Sequence, residues 1–430
     1  MMGRLRRNTE LGLILLAAVI TLGAYVLASL GRTADIPTDI VPFLVIILGL
    51  LAAAHIATRR LARQADGLLL ALAGLLNGLG YVFIARLDED LAALQASWTA
   101  VGIGAYIATL LLIRRTRDLE RYRYTFMLLG IGLLLMPLIP GVGRTINGAK
   151  IWVALGPVNF QPGEFAKIVL AVFFASYLAE KHRILAVTTW KIGPIKNLPD
   201  PKHLGPVMAA WAASLVVMLA EKDLGSSLLF FALFVVVLWV ATERGAYLGL
   251  GILLFAGGAM FAWSSFAHVR ERVDIWLDPW TDFEDAGYQL GEATFSLAAG
   301  GLAGTGLGLG DPTRIPAHST DFIFAAIGEE LGLLGSTAVV VAFLLIVGSG
   351  LRIALRATND FDKLLAAGLT AIIGLQSFII IGGVIRLVPL TGITLPFVSY
   401  GGSSLVANYV LLALLMRISD GIDAEAEPLP

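Results

Sequence analysis

Residues 11–30 read LGLILLAAVITLGAYVLASL, and Arg4, Arg6 and Arg7 stand just before them. No residue in that run is charged. About 20 apolar residues are what a helix needs to cross the ~30 Å of hydrocarbon in a bilayer. Helix is the form available there, because a lipid-exposed segment must satisfy its own backbone N–H and C=O groups. A basic flank before an apolar run also fits a secretory signal peptide, but the apolar core of such a peptide is only about 7–15 residues long. The run therefore reads as a retained membrane helix.

The same pattern recurs outward along the chain, at about 40–57, 67–86, 94–113, 124–140, 164–180, 206–221, 224–242, 246–266, 322–348, 364–386 and 402–418. With the first run these predict an all-α polytopic membrane protein of about 12 transmembrane helices. Composition agrees: 57% of the residues are hydrophobic and 15% charged, with a mean hydropathy of +0.81. A soluble domain is about half apolar and about a quarter charged. The net charge of −1 says nothing about partners, whereas a nucleic-acid binder would show a basic face. The absence of cysteine excludes disulfides, thiolate metal sites and cysteine nucleophiles.

Lys and Arg placement orients the helices, because basic residues favour cytoplasmic loops. With the N-terminus in the cytoplasm, the inside segments take Arg4, Arg6 and Arg7; Arg59, Arg60 and Arg63; Arg114 to Arg123; Lys181 to Lys202; Arg244; Arg352, Arg356 and Lys363; and Arg417. No inside segment breaks the pattern. Both termini are then cytoplasmic, and 141–163, 267–321 and 387–401 are outside. Long ordered loops commonly carry function.

Those loops hold the polar motifs. Pro316-Ala317-His318-Ser319-Thr320-Asp321-Phe322-Ile323-Phe324 leads into Gly328-Glu329-Glu330-Leu331-Gly332. Asp321 falls where an outside loop enters a helix, so it reads either as a helix-start residue in the first turn, with Ser319 or Thr320 as cap, or as a functional carboxylate. Glu329 and Glu330, deeper in, are functional candidates or ties between helices. Val388 to Ser404, with two prolines, three glycines and Ser399, Tyr400 and Ser403, reads as non-helical backbone lining a cavity or buried in protein. Asn147-Gly148-Ala149-Lys150-Ile151-Trp152 is followed by Gln161-Pro162-Gly163-Glu164-Phe165-Ala166-Lys167, where Glu164 and Lys167 share a helix face and can pair. Glu221-Lys222-Asp223-Leu224-Gly225 puts three charges at a helix junction. Arg270-Glu271-Arg272 precedes Trp276-Leu277-Asp278-Pro279-Trp280 and Gly287-Tyr288-Gln289; the arginines read as a phosphate grip or as a solvated charge run.

Taken together and in this order, the motifs resemble those of the SEDS proteins (RodA/FtsW/SpoVE), over about residues 67–418, and most closely the RodA-like branch of high-GC Gram-positive bacteria. The resemblance implies a ten-helix core over 67–418 and a two-helix N-terminal addition over 1–66; the acidic composition of 419–430 reads as a disordered cytoplasmic tail. The resemblance also implies a peptidoglycan glycosyltransferase that polymerises lipid II into glycan strands on the outer face of the cytoplasmic membrane, for elongation or division. Asp321 is then the catalytic carboxylate, a general base that is ionised at pH 7 at its ordinary value. The substrate-binding candidates are Lys150, Trp152, Gln161, Glu164, Lys167, Asp223, Arg270, Arg272, Ser399, Tyr400 and Ser403. Cations among Lys150, Lys222, Arg270, Arg272 and Arg314 would meet the leaving pyrophosphate. A divalent cation, Mg or Mn, would assist; no ligand cluster for one is readable. The implied partners are lipid II and the growing strand, a class B penicillin-binding protein as transpeptidase, and other elongasome or divisome membrane proteins. The sequence departs from the common pattern at Ile151, where many members carry Arg, at Lys222, where many carry Pro, and at Ala317 and Ser319, where many carry Glu and His. Lipid II flippase and non-catalytic scaffold for a transpeptidase are the rival readings.

The orientation has a direct check. A reporter fused after Pro430 is expected to read cytoplasmic; periplasmic-type activity at that fusion would overturn the placement of every loop.

Overall fold

The computed structural model describes the chain apart from residues 1, 36–39, 147, 157, 187–189, 193–194, 199–207, 210–211, 214–215, 217–220, 222 and 427–430. The helices are α1 (Met2–Thr33), α2 (Ile40–Leu61), α3 (Leu69–Leu87), α4 (Glu89–Leu112), α5 (Arg117–Glu120), α6 (Arg123–Leu135), α7 (Pro162–Ala186), α8 (Leu224–Thr242), α9 (Gly245–Ser265), α10 (Ala267–Leu277), α11 (Tyr288–Gly300), α12 (Ile323–Arg356), α13 (Asp360–Val384) and α14 (Gly402–Ala426). Among the described residues, nine helices are long and apolar enough to cross a membrane, and α6 is a shorter apolar one that a 3-10 turn extends to Leu138. The run at 206–221 lies largely outside the described residues.

Two kinds of element were not foreseen in the loops. Residues 143–160 form a three-stranded antiparallel sheet, β1 (Gly143–Ile146), β2 (Ala149–Leu155) and β3 (Val158–Phe160), in that order. A second hairpin pairs β4 (Trp190–Ile192) with β5 (Ile195–Leu198). The long loop 267–321 carries α10 and α11.

The chain forms two compact units. The first comprises Met1–Arg114, Arg272–Ser349 and Gln376–Pro430; the second comprises Arg115–Glu271 and Gly350–Leu375. In the first unit α14 packs along α4 and α1 along α3. Lipid offers helices little hydrophobic reason to associate, so small residues that admit close packing are favoured at such contacts. Gly102 fits this need: a Cβ there would stand 2.6 Å from the Tyr409 ring. Buried polar groups are paired across helices. Asn77 Nδ2 donates to Tyr409 Oη (3.0 Å) and to Thr99 Oγ1 (3.2 Å), and Thr58 Oγ1 shares a hydrogen with Tyr106 Oη (2.7 Å). In the second unit Leu134, Ala166, Leu170 and Phe230 form a core cluster, and Asp223 caps α8 by accepting from the Ser226 N–H (3.1 Å).

Helix α12 is not continuous. Gly332 sits at φ 66°, ψ −165°, and the chain resumes helix beyond it. The break frees the Leu333 and Leu334 N–H groups, which donate to Gly301 O (3.0 Å) and Leu302 O (3.2 Å). It also frees the Glu329 and Glu330 carbonyls, which accept from Thr305 N–H (2.9 Å) and Gly306 N–H (3.1 Å). Segment 301–306 is thus spliced into the helix. Glu330, buried in α12, pairs with Arg86 Nε of α3 at 2.6 Å, so the reading of these carboxylates as ties is the one the structure supports.

Helix α14 runs through the start of the expected tail to Ala426, and residues 427–430 of that tail lie outside the described residues. Asp420 Oδ1 accepts from the Gln64 N–H (2.8 Å) and Oδ2 from Arg417 Nη1 (3.2 Å), partners that composition does not reveal.

Arg417 closes two helix ends at once. Its guanidinium donates to Leu61 O (2.6 Å) at the end of α2, and to Ile113 O (2.8 Å) and Leu110 O at the end of α4. The last carbonyls of a helix lack intrahelical donors and favour a cation. Arg417→Ala is expected to lower stability by about 3 kcal/mol or more, read as a fall in the thermal unfolding midpoint in detergent, with Arg417→Lys recovering only part of it.

Candidate active site

Asp321 lies just before α12 in a half-buried turn, not within the helix's first turn as the sequence suggested. The turn is held from the far side by the loop that follows α13. Ser399 Oγ donates to Thr320 O (2.6 Å) and accepts from the Leu395 N–H (2.9 Å). The Tyr400 N–H donates to Ser319 O (2.9 Å). Ser399 is 3% exposed, so its hydroxyl positions the backbone at Asp321 from within the protein. Thr320 Oγ1 turns back to Ala317 O (3.2 Å). The half-buried Tyr400 phenol is raised above its ordinary pKa, chiefly by desolvation. Ser403 is buried at the start of α14 beside Ser404, whose Oγ accepts from Thr394 Oγ1 (2.8 Å).

Arg272 comes to the same place from α10. Its Nη1 donates to Leu390 O (2.9 Å). Asp321 and Arg272 both lie beside Gly392, which sits at φ +75°. A Cβ there would lie 3.7 Å from Asp321 Oδ2 and 3.8 and 4.0 Å from Arg272 Nη1 and Nη2. Carboxylate and guanidinium are therefore both next to one exposed glycine. Helix α10 is latched to the same loop by Trp276 Nε1, which donates to Arg386 O (3.0 Å), and by Arg386 Nη2, which donates to Trp276 O (3.2 Å) and Leu277 O (3.1 Å). Sequence reading missed Arg386 and Gly392 as site-shaping residues; their signal was position alone, at the two sides of the Pro389-Leu390 turn.

Arg270 behaves otherwise. It is exposed, and its guanidinium donates to Ser264 O (2.9 Å) and Trp263 O (3.4 Å), closing the C-terminal end of α9. Asp278 is a turn residue: Thr281 Oγ1 (2.7 Å) and the Trp280 N–H (3.0 Å) donate to it and hold its carboxyl below the usual aspartate range. Hydrogen bonds from Thr313 and Arg314 do the same for Asp311, so Arg314 is engaged locally.

The remaining candidates belong to the second unit. Lys150 and Trp152 are half-buried on β2; Lys150 Nζ reaches Leu138 O at 3.4 Å, and Trp152 pairs across the sheet with Arg144. Gln161 is half-buried at the start of α7. Glu164 and Lys167 form a buried ion pair (2.6 Å), with side chains 9% and 2% exposed. Asp223 also accepts from Ser226 Oγ (2.5 Å) and is buried as the cap of α8. Asn147 and Lys222 lie outside the described residues. Among the described residues no group of three or more His, Cys, Asp or Glu is placed to hold a metal ion, so no step is assigned to a divalent cation.

Comparison with known proteins matches residues 67–422 to the model of the FtsW/RodA/SpoVE cell cycle proteins. The chain is 46% identical over 427 residues to the peptidoglycan glycosyltransferase RodA of Mycobacterium tuberculosis, covering 97% of this chain and 91% of that one. It is 34% identical over 290 residues to the stage V sporulation protein E of Bacillus subtilis, covering 67% of this chain and 76% of that one. Among solved structures, a chain of a peptidoglycan synthase complex that coordinates polymerization and crosslinking superposes with a TM-score of 0.67 at 26% identity, over 83% of this chain and 98% of its own. The rod shape determining protein RodA of Thermus thermophilus gives 0.59 at 25% identity, over 83% and 96%.

The Glu164–Lys167 pair yields a test of its own. Removing one partner of a buried ion pair strands the other charge, whereas an apolar pair of similar volume does not. Lys167→Ala is expected to cost about 3–5 kcal/mol, and Glu164→Leu/Lys167→Met to recover most of it, both followed by thermal unfolding in detergent.

Proposed function

We propose, for a chain that belongs to the FtsW/RodA/SpoVE family of cell cycle proteins, that it is a peptidoglycan glycosyltransferase in which Asp321 is the general base. The substrate is lipid II. The 4-hydroxyl of the acceptor GlcNAc attacks C1 of the donor MurNAc. The new C1–O bond forms as the bond from C1 to the pyrophosphate oxygen breaks, with inversion at C1. The hydroxyl proton passes to the Asp321 carboxylate, and undecaprenyl pyrophosphate leaves. A positioned base contributes about 10²–10⁴-fold to such a step.

The observation that carries this reading is the shared position of Asp321 and Arg272 beside the exposed Gly392. The acceptor hydroxyl meets the carboxylate, and the guanidinium meets the charge that develops on the pyrophosphate oxygen. A fixed cation at a developing oxyanion is a large term in such catalysis. Arg272 is preferred to Arg270 for this role because Arg270 is committed to the end of α9. Lys150, Trp152, Gln161 and the Glu164–Lys167 helix are assigned to binding the sugar-peptide head and the growing strand, and Ser399, Tyr400 and Ser403 to shaping the loop that backs Asp321. Asp223 is assigned to the α8 cap beside the binding surface.

The active side is extracytoplasmic and the membrane is the cytoplasmic one, as the Lys and Arg distribution supports. The partner is a class B penicillin-binding protein; the likeness to a complex that couples polymerization with crosslinking supports it. Residues 1–66 are an addition to a core that starts near residue 67, where the family match begins. Translocation of lipid II is the weaker reading, since Glu330, a carboxylate such a path would use, is engaged by Arg86 and the Gly308 N–H.

The test is glycan polymerisation by purified protein with its transpeptidase and labelled lipid II, run on a gel. Wild type is expected to give a ladder and folded Asp321→Ala none. Arg272→Ala is expected to slow polymerisation by about 10²-fold, with Arg272→Lys intermediate and Arg270→Ala near wild type. Equal ladders from wild type and Asp321→Ala would remove the base role from Asp321. No ladder from wild type with the partner bound would favour translocation.

A further inference from the structure

The glycine-rich stretch 300–311 leads directly into the turn that bears Asp321, and its path is held from two sides. On one side lies the break in α12, with the four backbone hydrogen bonds to residues 301, 302, 305 and 306 described above. Side chains extend that hold. Glu330 Oε2 accepts from the Gly308 N–H (2.9 Å), Glu329 Oε1 accepts from the Asp311 N–H (2.6 Å), and Arg86 Nη2 donates to Gly310 O (2.6 Å). Close approach is required throughout: a Cβ at Gly304 would stand 2.2 Å from Glu330 O.

On the other side lies α1. A Cβ on Gly31, in the last turn of α1, would meet Leu307 O at 2.1 Å, and one on Gly308 would meet Ala28 O at 2.3 Å. Leu307 packs against Ala24, Ala28 and Val82, with Tyr25 and Leu79 around it. Backbone thus lies on backbone at this contact, with one leucine as the plug. Helix α1 is itself anchored. Near its start Arg7 bonds Glu10 and the Ala65 carbonyl, and Glu10 Oε1 meets His55 Nδ1 at 2.7 Å. Midway, Thr21 packs onto Gly78 of α3, where a Cβ would stand 2.3 Å from Thr21 Oγ1.

Beyond Asp311 little slack remains. Pro312–Arg314 is a 3-10 turn, Ile315 is fully buried, and His318 Nδ1 lies 2.9 Å from Ile315 O before the chain reaches Asp321. A displacement of loop 301–311 is therefore passed on to the carboxylate.

We propose that α1 is a brace for the active site, in which Gly31, Leu307 and Gly308 act as positioning residues: their contact presses loop 301–311 into the break of α12 and so sets the placement of Asp321. The helix lies outside the region 67–422 that matches the family, so the brace is supplied by the N-terminal addition. This inference rests on Asp321 as the base.

Gly31→Ala is the sharpest probe. Alanine favours a helix over glycine by about 1 kcal/mol, so α1 is not weakened, and the added methyl acts only as a wedge against Leu307 O. Leu307→Ala removes the plug without a clash. Val19→Ala, at a position 65% exposed on α1, is the control. Each full-length variant is assayed with the transpeptidase partner for kcat and KM on lipid II, and for hydrogen exchange by peptide. Both probes are expected to lower kcat about tenfold or more, since small misplacements of reacting groups are costly. KM is expected to stay within about twofold, and exchange to rise over 301–322 but not over 162–180. Wild-type kcat in both, a loss confined to KM, or unchanged exchange over 301–322 would overturn the brace. Should Gly31→Ala fail to fold, Leu307→Ala decides alone. Asp321→Ala is run in parallel: if it polymerises normally the base assignment falls, and exchange over 301–311 then judges the brace independently of it.

Discussion

A helix that breaks among apolar surroundings leaves backbone groups that water cannot reach. At Gly332 the break strips two donors and two acceptors from α12, and each would cost about 1–3 kcal/mol if left unpaired, more within hydrocarbon. All four are taken by one segment, residues 301–306. The loop therefore cannot leave without exposing the break, and the break cannot close without expelling the loop. The placement of Arg86 against Glu330, the density of glycine in 300–310 and the short run from Asp311 to Asp321 all follow from this mutual dependence. Gly332 satisfies two demands at once: φ of 66° suits glycine, and a Cβ there would stand 2.3 Å from Gly304 N.

The membrane spans were legible because burial in lipid acts on composition itself: a segment that must shed its charges over about 20 residues announces its length. The splice into α12 was not legible by the same route. Within an apolar run Gly332 reads as another small residue at a helix contact, and only the adjacent Glu329-Glu330 pair hints that polar backbone must be met there. The sheet at 143–160 was hidden for a different reason. Its strands are short, and their pairing depends on a turn around residue 148, where Gly148 takes φ +79°, rather than on hydrophobic alternation. The helical continuation through Asp420 depends on a partner, the Gln64 N–H, that is distant in sequence.

Asp321 was reached through motif resemblance, and the two arginines near it in function could not be told apart from sequence. Geometry separates them simply. Residues two apart on a helix point about 200° apart at about 100° per residue, so on α10 Arg270 turns back to the end of α9 while Arg272 turns to Leu390. Ser399 and Tyr400 illustrate the same limit. Small polar residues in a loop suggest a ligand-facing surface, yet the Ser399 hydroxyl donates to the Thr320 carbonyl and the Tyr400 backbone N–H to the Ser319 carbonyl. Their effect on chemistry is to fix the segment that carries the carboxylate, a preorganisation made before substrate arrives.

Charge placement completes the argument. In a chain this apolar an ionised side chain is costly unless matched, and three of the buried carboxylates are matched locally: Glu330 with Arg86, Glu164 with Lys167, Glu10 with Arg7 and His55. These pairs join elements that lipid alone would leave loosely associated. Asp321 and Arg272 differ from them in being half-buried and in lying beside an exposed glycine. The φ of +75° at position 392 favours glycine, and a Cβ there would touch both groups. The fold thus spends these buried charges on cohesion and keeps one carboxylate and one guanidinium half-buried beside an exposed glycine, where the surrounding backbone sets their geometry.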